Sequence, residues 1–93
     1  RPGCRPEEVG PSPGGGTVRI GFALAHAAAI TGEVFDVNGR RVATPARGEW
    51  PAGSHAVEWD GRTRGGDPAP AGLYVVRYAH PGGHERMLLV RIR

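Results

Sequence analysis

Apolar and polar positions alternate with a period of two through much of the chain, the spacing of half-buried strands rather than helices. The clearest case is 17–24, where Val18, Ile20, Phe22 and Leu24 share one face and Thr17, Arg19, Gly21 and Ala23 the other. A second strand is predicted over 30–37. Asn38-Gly39 follows at once and predicts a type I′ hairpin, because both positions tolerate positive φ. Residues 40–43 are then the partner strand. Between the first two strands, 25–29 has helix propensity but spans little more than one turn, too little to hold a helix, so it reads as a connection. Residues 44–54 carry Pro45, Gly48, Pro51 and Gly53 and are predicted to be a loop, with Trp50 tucked onto the folded body.

The stretch 55–78 organises the rest. His55, Val57 and Trp59 alternate with Ala56, Glu58 and Asp60 as a half-buried strand. Asp60-Gly61 breaks it, and Gly65-Gly66-Asp67-Pro68 with Pro70 keeps any regular element from forming. The next strand, 73–78, puts Tyr74, Val76 and Tyr78 on one face. Trp59 and Tyr74 supply two large apolar bodies, each with a polar atom that needs a partner. A turn at 80–83 leads to a closing strand over 84–93, with Leu88, Val90 and Ile92 predicted inward and Arg91 and Arg93 outward. About seven short strands with turns between them imply an all-β protein, an antiparallel immunoglobulin/fibronectin III-like β-sandwich over 17–93. Its expected core is Val18, Ile20, Phe22, Val34, Trp59, Tyr74, Val76 and Val90.

Residues 1–16 read differently. Pro2, Pro6, Pro11, Pro13 and the nearby glycines, with Glu7-Glu8, predict an extended Pro/Gly-rich arm or linker outside the domain. With Cys4 these prolines form a candidate assembly arm. If 17–24 lies at a sheet edge, the arm of another subunit is expected to add alongside it.

Composition narrows the chemistry. Ninety-three residues make one domain. All twelve basic residues are Arg, yet the net charge is only +3 and they are scattered, unlike the clustered basic face of a nucleic-acid binder. No apolar run approaches the ~20 residues of a membrane span. Cys4 is alone, so no intrachain disulfide is possible. The chain starts at Arg rather than Met, and is expected to be a processed product or part of something longer.

No constellation of reactive side chains emerges. His80 and His84 flank a turn, but a structural zinc site wants four ligands, which are lacking here. Asp60 and Asp67 are separated by Arg62 and Arg64, which would repel a calcium ion, so Asp60 reads as a turn carboxylate accepting backbone N–H bonds. Gly14-Gly15-Gly16 precedes a strand, whereas a phosphate loop follows one, and Ser12 and Ser54 have no nucleophile-elbow context. Glu33, Glu58 and Glu85 are expected on solvated faces opposite arginines. Neither an enzyme nor a metal or cofactor site is expected.

Several blocks carry a family resemblance. Val34-Phe35-Asp36-Val37-Asn38-Gly39-Arg40-Arg41-Val42 resembles the hairpin shared by two bacterial families, the C-terminal sorting domains of the type IX secretion system and the immunoglobulin-like domain of flagellar hook-capping proteins. Gly53-Ser54-His55, Trp59-Asp60-Gly61, Gly65-Gly66 and Pro70-Ala71-Gly72-Leu73-Tyr74 are similar to their later blocks, in the same order, and 86–90 looks like their closing basic-then-apolar strand. Asp36, Asn38, Gly39, Arg40, Trp59, Asp60, Gly61, Gly72 and Tyr74 are the positions that carry this structural motif. Two departures stand out. Gly32 replaces a usual inward aliphatic, which is expected to leave a gap in the core, and Arg86 replaces a common Lys.

The resemblance implies a non-catalytic C-terminal module of a secreted or cell-surface bacterial protein, serving in sorting, anchoring or protein–protein interaction. The alternatives are a subunit of an extracellular filament or sheath assembled through the arm, and a hook-assembly scaffold. The partners expected are proteins: secretion machinery, a parent domain, or identical subunits in a homo-oligomer.

Overall fold

Alternation along the chain becomes seven strands in two antiparallel sheets, in a computed structural model that describes residues 3–11 and 16–92. The strands are β1 (Cys4–Pro11), β2 (Val18–Leu24), β3 (Ala28–Phe35), β4 (Arg41–Trp50), β5 (Gly53–Trp59), β6 (Gly72–His80) and β7 (Gly83–Arg91). One sheet has the order β1-β2-β5 and the other β4-β3-β6-β7. All regular elements among the described residues are strands, which makes the predicted β-sandwich the observed fold.

The core lies between the sheets. Ile20, Phe22, Ile30, Val34, Val76 and Tyr78 are almost wholly buried, and each apolar side chain of this size contributes roughly 1.5–3 kcal/mol by leaving water. Tyr78 donates its hydroxyl hydrogen bond to the Gly21 carbonyl at 2.8 Å, so its polar end is satisfied across the sandwich.

The predicted arm is a strand of its own domain. Residues 4–11 pair antiparallel with β2, from Cys4 opposite Leu24 to Pro11 opposite Val18, with a bulge between Pro6 and Val9. The β2 strand thus has neighbours on both sides and no edge for a second subunit's arm. Pro6 and Pro11 are tolerated because β1 is itself an edge strand, where a missing N–H can face away from the ladder. Cys4 is buried inside the sandwich. Pro2 and Pro13 lie outside the described residues.

Three further expectations change. Residues 44–50, expected as loop, continue β4. Pro45 fits because β4 is an edge strand, and it sits at an irregularity in which Ala43 faces Val34 while Ala46 faces Gly32. The hairpin after β3 is not type I′. Gly39 has φ +83° but Asn38 does not take positive φ; the Gly39 N–H donates to the Asp36 carbonyl at 3.0 Å and the Asp36 N–H to the Arg40 carbonyl at 2.9 Å. That is a three-residue loop closed by a left-handed glycine. Finally, no gap opens at Gly32: a Cβ there would stand 3.2 Å from the Ala46 Cβ and 3.8 Å from the Tyr78 ring, which fill the space.

The closing strand is inverted relative to expectation. Leu89 is buried, whereas Leu88, Val90 and Ile92 are exposed and Arg91 points inward. Directly opposed residues of an antiparallel pair share a face, and Tyr74 is opposite Leu89, Val76 opposite Met87, and Tyr78 opposite Glu85. The inward face of β6 therefore dictates the inward face of β7.

Candidate functional site

The motif residues cluster at one end of the sandwich, and their contacts are structural. Asp36 Oδ1 accepts from the N–H groups of Asn38 at 2.9 Å and Arg40 at 3.0 Å, while its other oxygen lies 3.5 Å from Arg40 Nε. The Arg40 backbone donor, more than the guanidinium, holds the Asp36 carboxyl below its ordinary pKa. In the next turn Asp60 accepts from the Arg62 N–H at 3.0 Å, as a turn carboxylate.

Trp59 and Tyr74 meet edge to face with centroids 5.8 Å apart. The Trp59 indole donates to the Arg62 carbonyl at 2.9 Å, and the Tyr74 hydroxyl to the Pro70 carbonyl at 2.6 Å. Both predicted polar partners are thus backbone carbonyls of the long turn. Arg91 lies over the Trp59 ring and donates to the Ala69 carbonyl at 3.1 Å. Gly61, at φ +78°, packs so closely that a Cβ would collide with the Gly16 carbonyl and the Arg91 guanidinium. Gly72 opens β6 at φ +147°. This constellation is a joint that fixes the long turn, its polar atoms turned to backbone carbonyls.

The histidines are spread out. His80 Nε2 lies 3.1 Å from Glu85 Oε2, with the His80 side chain buried, so Glu85 faces inward instead of joining a solvated face. His84 Nδ1 is 3.5 Å from Arg77, and His55 packs against Phe22 and Trp50. Among the described residues, no three His, Cys, Asp or Glu side chains converge to hold a metal ion. Glu33 pairs with Arg41 at 3.1 Å, as expected of a strand face.

A groove of about 560 Å³ runs between the 36–42 hairpin and the long turn, with Val37, Arg40, Arg64 and Leu73 along it. Arg41 and Leu73 in its wall also belong to the outer face of the four-stranded sheet. Phe35 is opposite Val75, and Val75 opposite Leu88, forming one cross-strand row; Leu73 and Val90 form the next. Leu73, Leu88 and Val90 are exposed by 42%, 64% and 66%, a contiguous apolar patch where the outside of a sandwich is ordinarily polar. The adjoining row is charged, with Glu33 opposite Arg77 and Arg77 opposite Arg86.

Residues 8–81 match the family described as FlgD Ig-like domain. The chain belongs to the FlgD Ig-like domain family. No individually curated protein matches it.

In this FlgD Ig-like domain the matched span runs from β1 through the turn after β6 and includes the Asp36 hairpin and the Trp59–Tyr74 joint. The β7 strand, with Leu88 and Val90 of the apolar patch, lies beyond the match. Period-two reasoning misses the patch because it treats β7 as apolar on one side only. A signal for it exists: Leu73-Tyr74-Val75-Val76 and Met87-Leu88-Leu89-Val90 are unbroken apolar runs, the pattern of strands covered on both faces.

Proposed function

We propose that this FlgD Ig-like domain is a non-catalytic protein-interaction module of a secreted or cell-surface bacterial protein, acting as a scaffold in hook-type assembly and meeting its partner on the outer face of β6 and β7. The observation that carries this reading is the contiguous apolar outer face on which Leu73, Leu88 and Val90 are exposed beside the half-buried Phe35 and Val75. Exposed apolar patches flanked by charge are the ordinary anatomy of a protein interface. The charged side chains on that face are Arg41, Arg47, Arg77 and Arg86 against Glu33 and Glu49. Two copies meeting face to face would therefore oppose like charge, which favours a different protein as partner.

The test is Leu88→Ser with Val90→Ser in the parent protein of the source bacterium. Both side chains are exposed, so the melting temperature of the domain should hold while partner-dependent function is lost. A stably folded double variant with intact delivery and assembly would refute the reading. The same variant separates the two roles suggested by the hairpin and Trp59-Asp60-Gly61 blocks. Loss of surface delivery marks a sorting module; loss of hook growth with delivery intact marks a hook scaffold.

A further inference from the structure

We infer that the partner of the β6–β7 face is an acidic protein surface, one that sets apolar side chains on Val75, Leu88, Leu73 and Val90 and carboxylates on Arg77 and Arg86. The inference rests on the docking role proposed above and adds the chemistry of the occupant. Its basis is a local conflict in the sheet. Arg77 and Arg86 are directly opposed across β6 and β7, a like-charged pair that disfavours the strand pairing. Their neighbours do not relieve it. Glu33, the nearest acid in the row, is 3.1 Å from Arg41 instead, and among the described residues neither Arg77 nor Arg86 forms an ion pair. The hydrogen-bond contact of Arg77 is with the His84 ring at 3.5 Å, which supplies no negative charge.

This uncompensated pair sits one row from the apolar patch. Along each strand the step from Arg77 to Val75, or from Arg86 to Leu88, is two residues, so the charged and apolar rows share one face. A single partner segment can therefore cover both. Carboxylates arriving there would remove the repulsion and gain bidentate pairing with guanidinium groups, while the apolar rows leave water. The face carries four arginines against two glutamates, so the same chemistry would also steer an acidic partner toward it. A second copy of this chain brings the same positive excess and does not satisfy the site.

The experiment uses the 93-residue chain, isotopically labelled, titrated with two short amphipathic peptides and followed by amide NMR shifts. One peptide combines Leu with Glu; the other has Lys at every Glu. The Glu peptide should shift resonances of β6 and β7 and bind at least about tenfold more tightly than the Lys peptide, with the preference shrinking as salt rises. The Arg86→Glu variant provides the sharper arm. It sets a carboxylate opposite Arg77 in place of a second guanidinium, so it should raise the melting temperature while weakening the Glu peptide about tenfold. Opposite signs on stability and binding are not expected of a merely structural residue.

Equal binding of both peptides at β6–β7 would overturn the charge inference while leaving the docking face standing. Shifts elsewhere, or none with either peptide, would overturn both. A dimer mass for the chain alone, abolished by Leu88→Ser with Val90→Ser, would show that a second copy covers the face and would also overturn it.

Discussion

The Arg91 guanidinium lies 5.5 Å from the centre of the Trp59 ring, and its Nε donates to the Ala69 carbonyl at 3.1 Å. The last strand is thereby fastened to the long turn by a charge on an aromatic face and a bond to backbone. Arg91→Ala removes both and should cost about 1–3 kcal/mol. For a domain of this size each kcal/mol corresponds to about 4–8 °C in melting temperature. Arg91→Lys keeps the charge but loses the flat donor geometry, and should fall between the two. Thermal unfolding followed by Trp fluorescence checks this; identical midpoints for Arg91→Ala and the parent would show that the contact contributes nothing.

Gly61 and Gly39 both adopt positive φ, +78° and +83°, but in different surroundings. An added Cβ at Gly39 meets nothing within 4 Å, whereas at Gly61 it meets the Gly16 carbonyl and the Arg91 side chain. Gly39→Ala should therefore cost only the left-handed backbone penalty, about 1–2 kcal/mol. Gly61→Ala adds overpacking and should cost about 2–5 kcal/mol. Urea unfolding of the two variants side by side decides the matter, and equal costs would contradict the packing at Gly61.

Gly32 and Ala46 fill one another's space across β3 and β4, with the Ala46 Cβ 3.2 Å from where a Gly32 Cβ would stand. Gly32→Val should destabilise by about 1–3 kcal/mol through overpacking. Combining it with Ala46→Gly should recover part of that loss, an interaction of at least about 0.5 kcal/mol in a double-mutant cycle. Strict additivity would mean that the two sites are not in contact.

Two buried groups make stability fall at alkaline pH. Burial pushes the Cys4 thiol above its ordinary pKa, and the Glu85 charge adds to this. Burial pushes the Tyr78 hydroxyl up as well, with smaller contributions from Cys4 and Glu7. Both groups are neutral when protonated, so the native state holds these protons more tightly than the unfolded chain. Their contribution is complete below the unfolded-state values, near about 8.5 for Cys and about 10 for Tyr, and is lost as pH rises above them. Denaturant midpoints between neutral and alkaline pH should decline accordingly, and Cys4→Ala should delay the onset of the decline. An unchanged pH profile in Cys4→Ala would remove the thiol from this account.

Local chemistry is legible in the residues themselves. Val18, Ile20, Phe22 and Leu24 declare their strand by period alone, and Trp59, Asp60 and Tyr74 declare a turn that must supply partners for their polar atoms. Those are properties of short stretches, fixed by side-chain alternation and by the hydrogen bonds that buried polar atoms require. The conformation of 4–11, the extension of β4 through Pro45 and the facing of β7 belong to a different class. A Pro/Gly segment has little preference of its own, and becomes a strand because the edge of β2 accepts it. Pro45 is compatible with a strand only because β4 has a free edge. In Met87-Leu88-Leu89-Val90 both faces are apolar, so period two cannot choose between them. Tyr74, opposite Leu89, makes the choice and leaves Leu88 and Val90 on the outside. The sequence by itself therefore determined most of the strands, the turns and the sandwich, while pairing across strands, a contact between distant residues, decided which apolar side chains build the core and which lie exposed on the outer face of the sheet.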